Sequence, residues 1–292
     1  MLLPFAAHAV LLVHERDWPR REMLHALLAA AAVTNARGMP LRVVAPDADR
    51  RVSYETRVYE RGEVEVREGE WHDLFNVMAW LAYPLTKAAL NERHVEAASA
   101  ERVCAATPGA ARGRNRGRLR DALTVFDESG AVFVSADAHL VEDLRAFRWK
   151  DLFWKRRERV RSAVRVYVFG HAMLEKGLQP YVGMTAHALP LVVGADFLAG
   201  PSSRELERVD ALAARSVRDP ACLTTPQSLA PLPLLGVPGW WLDNEREDFY
   251  DDATYFRPGR QNRREVIGRC PKEGGNVGNS LVPPVRPPRR TR

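Results

Sequence analysis

The sequence predicts an α+β fold class in which helices pack with short antiparallel hairpins, and three observations point to it. Two segments alternate apolar and polar residues about a glycine-bearing turn, runs of strong helix formers separate them, and no repeat or linker composition divides residues 36–256. With 292 residues, 46% of them apolar, the chain can bury a sizeable core. One globular domain is therefore expected over residues 1–257. A disordered basic tail is expected over 258–292, where Pro, Gly, Asn and Arg dominate and little is left to bury.

Taken in order, residues 19–36 are rich in helix formers and meet no breaker before Gly38, so they read as a helix. Residues 41–45, closed by Pro46, read as a short strand. The period-two runs 55–60 and 63–67 flank Arg61-Gly62 and read as a hairpin with one charged face. Trp71 to Tyr83, stopped by Pro84, pairs with a second and more polar helix over 85–100. The arginine-glycine stretch 108–118 has loop composition. A second hairpin is expected from 122–126 and 131–135 around Asp127-Glu128-Ser129-Gly130.

Residues 138–161 look helical and lead to a strand over 164–169 that runs into Gly170. A strand over 189–193 and a helix over 202–215, capped by Ser202 or Ser203, complete the body. Residues 229–241 combine Pro231, Pro233 and Pro238 with leucines and tryptophans, which predicts an extended strap without regular structure.

The formal net charge of +6 sits mostly at the end of the chain. Ten Arg or Lys and two Glu from Arg257 onward leave residues 1–256 at −2, so the folded body is not basic. The three cysteines are far apart and lack C-x-x-C spacing, which suits a reducing compartment and a cytoplasmic protein. Met1 to Val13 is too short and too interrupted to span a bilayer, and no basic residue opens it as a secretory signal would. No membrane association is expected.

Chemistry-bearing residues gather in Trp71-His72-Asp73-Leu74-Phe75-Asn76 and in Phe169-Gly170-His171-Ala172-Met173-Leu174-Glu175-Lys176. At i, i+4 on a helix, His171 and Glu175 stand side by side, so with His72, Asp73 and His94 they form a candidate nitrogen and oxygen donor set for a divalent metal. His72, Asp73, His171 and Glu175 are the candidate catalytic groups. In the structural alternative, Asp73 caps its helix, His72 bonds a carbonyl and His171 pairs with Glu175 inside a buried network. Asp121, Asp127 and Glu128 could supply further carboxylates, although a turn role explains Asp127 better. There is no G-x-S-x-G elbow, no phosphate-binding glycine loop and no cysteine beside a histidine.

Several motifs occur in order: Tyr54-Glu55-Thr56-Arg57, Trp71 to Asn76, Lys87-Ala88-Ala89-Leu90-Asn91, Arg120 to Glu128, Phe169-Gly170-His171-Ala172, Glu175-Lys176 and Gly236-Val237-Pro238-Gly239-Trp240. Together they resemble the bacterial family catalogued as domain of unknown function 3025, over residues 19–257. The resemblance implies a soluble, single-domain bacterial protein and no particular activity. The leading functional expectation is a metal-assisted hydrolase acting on a phosphoester, with His72-Asp73 and His171-Glu175 facing each other across a cleft. The rival is a non-catalytic protein that binds nucleic acid or another anionic partner through its tail and the cationic face of residues 150–165.

Overall fold

The computed structural model describes Phe5 and residues 18–46, 51–106, 116–199 and 204–259. Most of the N-terminal apolar stretch, the centre of the arginine-glycine loop, Ser202 and Ser203 and nearly all of the basic tail lie outside the described residues.

The fold is α+β. Helix α1 (Arg21–Ala30) buries Leu24 and Leu28 and leads to strand β1 (Arg42–Val44). The first expected hairpin is instead helix α2 (Tyr54–Arg61) followed by strand β2 (Glu63–Glu65). Ser53 accepts a hydrogen bond from the Thr56 N–H at the start of α2 and Gly62 closes it at φ 67°, so the glycine is a helix C-cap and not a hairpin turn. A Cβ at Gly62 would come 2.4 Å from the Pro40 carbonyl oxygen, which leaves no room for another residue. β1 and β2 pair in parallel, Arg42 opposite Glu63, with α2 as their crossover.

Helix α3 (Trp71–Ala82) and helix α4 (Pro84–Ala106) form the expected pair, with Pro84 as the first residue of α4. The carboxylate of Asp210, on helix α10 (Glu205–Arg218), accepts the Leu85 and Thr86 backbone N–H groups at 2.9 and 2.8 Å and so caps α4 from across the core.

The second expected hairpin is helix α5 (Arg116–Ser129) running into strand β3 (Gly130–Ser135). Ala122, Leu123 and Phe126, all fully buried, recur at helical spacing, and that period decides the conformation. Helix α6 (Ala138–Arg145), a π-helical turn at Asp151–Lys155 and helix α7 (Arg157–Ala163) divide what reads as one helix. Strand β4 (Val164–Val168), the short helix α8 (His171–Lys176), strand β5 (Thr185–Val192) and the short helix α9 (Ala195–Ala199) follow.

The strap is partly regular. Strand β6 (Ala230–Pro233) pairs antiparallel with β5, Pro231 opposite His187 and Pro233 opposite Thr185. The main sheet has the order β4-β3-β5-β6, with β3 parallel to β5 and antiparallel to β4. Its strands come together from distant parts of the chain rather than by hairpins. Every residue of β3 is buried, as expected for a central strand covered on both faces. Buried Asn244 holds the end of the strap by donating to the Leu235 and Val237 carbonyls, 2.8 Å each. Among the described residues no helix is long and apolar enough to cross a membrane.

Candidate metal centre

A cleft of about 490 Å³ opens where α2, α3, α4, α5 and α8 meet. His72 enters it from the first turn of α3, Glu128 from the last turn of α5 and His171 from the first residue of α8. Two chain junctions pressed together set this convergence. The β4 to α8 junction lies against the α5 to β3 junction, and the Phe169 and Gly170 N–H groups both donate to the Gly130 carbonyl at 3.0 and 2.9 Å. A Cβ at Gly170 would lie 2.4 Å from Gly130 N and 2.5 Å from the Glu128 carbonyl oxygen, so only glycine allows that approach. Beneath it Phe169 stacks on Phe126, centroids 4.8 Å apart, and meets Tyr83 edge-on. We expect Gly170→Ala to cost about 3 kcal/mol in urea unfolding, the upper end for overpacking, because the opposing atoms are backbone.

The Nε2 atoms of His72 and His171 are 3.1 Å apart. Glu128 Oε2 lies 3.5 Å from His171 Nε2 and 3.9 Å from His72 Nε2. The point equidistant from those three atoms is about 2 Å from each, the bond length of zinc to imidazole nitrogen and carboxylate oxygen. Among the described residues this is the one group of three or more His, Cys, Asp or Glu side chains with ligand atoms close enough for an ion.

Behind each imidazole stands a second carboxylate. Glu175 Oε2 is 3.5 Å from His72 Nδ1, and Asp127 Oδ2 is 3.9 Å from His171 Nδ1. Asp127 is held by buried Lys87, whose ammonium donates to Asp127 Oδ1 at 2.6 Å and to Asn76 Oδ1 at 2.8 Å. Asn76 in turn donates to the Tyr54 hydroxyl at 2.8 Å.

Of the five residues expected from sequence, His72 and His171 meet and Glu175 stands beside His72. Asp73 lines the cleft but is not one of the converging three. Its carboxylate accepts the Arg67 backbone N–H at 2.8 Å and takes the Arg67 guanidinium at 2.8 and 2.9 Å. His94 lines the cleft but is not one of the converging three. Glu128, which the sequence offered only as a further carboxylate at an expected turn, takes their place from the last turn of a helix.

Burial lowers the His171 imidazole to about 4, with Asp127 opposing, so at neutral pH it is uncharged and one of its nitrogens can bind a metal without losing a proton. His94 is also lowered, again mainly by burial. Glu128 is raised, burial outweighing the nearby His72. Burial pushes Asp127 upward too, but Lys87 and His171 outweigh it and the carboxyl is lowered. The lining holds five carboxylates (Glu55, Glu65, Asp73, Asp127, Glu128) against three permanent cations (Arg57, Arg67, Lys87). That surplus of two negative charges is the charge of one divalent cation.

The cationic face expected to contact nucleic acid is different in kind. Each of its seven Lys or Arg residues has a carboxylate partner: Lys150 with Asp251, Lys155 with Asp151, Arg156 with Asp143, Arg157 with Glu245, Arg159 with Asp137, Arg161 with Glu158 and Arg165 with Glu205.

A family model described as Protein of unknown function (DUF3025) matches residues 41–260, three-quarters of the chain. Comparison with curated proteins and with solved structures gives no match.

Proposed function

The chain belongs to that family, whose description names no activity, and we propose from the cleft itself that the protein is a metal-assisted hydrolase of phosphoesters. The observation that carries this reading is the triangle of His72 Nε2, His171 Nε2 and Glu128 Oε2, whose common centre is one metal–ligand bond from each. Three protein ligands leave a fourth position for water or substrate, the pattern of a catalytic rather than a structural zinc site. A divalent ion held there supplies Lewis acidity and lowers the pKa of bound water.

The protein's own groups prepare that chemistry. Glu175, 3.5 Å from His72 Nδ1, is placed to hold the tautomer that presents Nε2 as the ligand, while Asp127, fixed by Lys87, stands 3.9 Å from His171 Nδ1. Arg67 and Lys87 line the cleft but are each paired with a carboxylate, Asp73 and Asp127, so the bound metal would supply the charge that meets an anionic ester.

Elemental analysis of the purified chain, followed by zinc titration calorimetry and hydrolysis of p-nitrophenyl phosphate, tests it. One equivalent of divalent metal and metal-dependent turnover are expected. A chain that takes up no zinc, manganese or iron overturns the reading. Glu175→Gln is expected to weaken zinc binding by about 10–100-fold without unfolding the protein, the usual effect of losing an outer partner, as read by competition with a chromogenic chelator.

A further inference from the structure

Beyond the three converging ligands, the cleft wall formed by α2 and α4 carries a second set of polar groups. Arg57 on α2 and Asn91 and His94 on α4 all line the cleft, with only 8%, 6% and 8% of their surfaces exposed. Each keeps one atom without a hydrogen-bond partner among the described residues: Arg57 Nε, Asn91 Oδ1 and His94 Nδ1. Buried polar atoms left unmatched cost stability unless something completes them, and these three belong to side chains that line one wall of one cavity.

The remaining hydrogen bonds define what each atom offers. Asn91 Nδ2 already donates to the Glu55 carbonyl at 2.8 Å, so the open Oδ1 is an acceptor. Arg57 Nη2 is engaged by Glu65, so the open Nε–H is a donor whose charge is already balanced. His94, kept neutral by burial, can offer an acceptor or a donor at Nδ1 according to its tautomer. A charged ligand would upset this balance, and an apolar one would leave all three atoms unmatched. Hydroxyl groups, which donate and accept and rotate to suit, satisfy all of them.

We propose that Arg57, Asn91 and His94 form a subsite for the polyhydroxylated, sugar-like part of the substrate, adjoining the His72–Glu128–His171 centre. The proposal rests on the phosphoester reading only for the end of the ligand that meets the metal; the subsite itself needs no metal.

The test uses the full chain loaded with zinc, and calorimetry with methyl phosphate, ribose 5-phosphate, glucose 6-phosphate and phosphonoacetamide. At least one sugar phosphate is expected to bind about tenfold more tightly than methyl phosphate, the yield of one or two net hydrogen bonds. Arg57→Lys, which keeps the charge and removes Nε, and His94→Gln are each expected to bring that ratio close to one while zinc uptake stays at its original stoichiometry. Thermal unfolding identifies any variant that has lost its fold, and the other then decides. A ratio of one in the unsubstituted chain, or a ratio that neither folded variant lowers, overturns the proposal. Phosphonoacetamide binding as tightly as the sugar phosphates overturns the assignment of hydroxyls in favour of an amide. Zinc uptake is scored separately: if none occurs, the same ratios are read with methyl ribofuranoside and methyl glucoside against methanol, so the metal reading can fail while the subsite stands or falls by itself.

Discussion

His72→Ala is expected to reduce zinc affinity by well over 100-fold, beyond the roughly 10–100-fold that follows loss of an outer-shell partner. The His72 side chain is 34% exposed, so its removal opens no closed cavity, although it takes the hydrogen-bond partner of His171 Nε2 away. Asp73→Asn is the matched control. Asp73 is adjacent in sequence, but its carboxylate is spent on the Arg67 backbone and guanidinium. Its loss should therefore cost about 1–3 kcal/mol of stability and leave zinc affinity within a few-fold. Chelator competition and urea unfolding, run on both variants, should show opposite patterns. Equal loss of zinc in the two would place Asp73 among the ligands and discard the His72–Glu128–His171 set.

The second large effect concerns stability. Lys87→Met is expected to cost about 3 kcal/mol at pH 7, since it strands the Asp127 carboxylate and leaves Asn76 Oδ1 without its donor. The Lys87 side chain is only 4% exposed, and that of Asp127 is 24% exposed, toward the cleft. The sign of the pH dependence follows from the lowered carboxyl of Asp127. A folded-state pKa below the unfolded one contributes stability that is present above the ordinary carboxylate range and disappears as pH falls through the folded value. The unsubstituted chain should lose that contribution on acidification. The variant, which no longer has it, should have a flatter acid limb. Lys87→Met combined with Asp127→Asn should recover part of the loss. Unfolding curves at pH 7 and pH 4 that run parallel for the two proteins would remove the Lys87–Asp127 pair from the account of stability.

The sequence carried much of the helical frame and half of the site, and its failures have physical reasons. Trp71 to Ala82 and the helix begun by Pro84 were readable because continuous apolar faces and a proline at the first helical position are local signals. His72 and His171 were recognisable as chemistry, and their Nε2 atoms lie 3.1 Å apart. Residues 55–60 misled because alternation over so few positions also fits a helix; Val58, the fully buried apolar residue of α2, satisfies either period. Asp127-Glu128-Ser129-Gly130 misled in another way. The composition of a turn also suits the end of a helix that must stop dead against a strand, and Leu119, Ala122, Leu123 and Phe126 held the helical spacing that would have told them apart. That choice left Glu128 outside the expected metal set. The parallel pairing of β3 with β5 depends on contacts between residues more than fifty positions apart, which no local pattern encodes. The role of Asp73 was hidden likewise, because its partner Arg67 belongs to no regular element.

The prolines of β6 matter for more than local pairing. Pro231 and Pro233 are two apart and point their ring nitrogens to the same side of the strand, away from β5, because the ladder to β5 is intact. The outward rim of the sheet therefore has no hydrogen to offer at two successive outward-facing positions. A strand from another molecule arriving there would find acceptors without donors, and sheet growth would stop at the fourth strand. Replacing both prolines by valine would restore the missing donors and turn a closed margin into a sticky one.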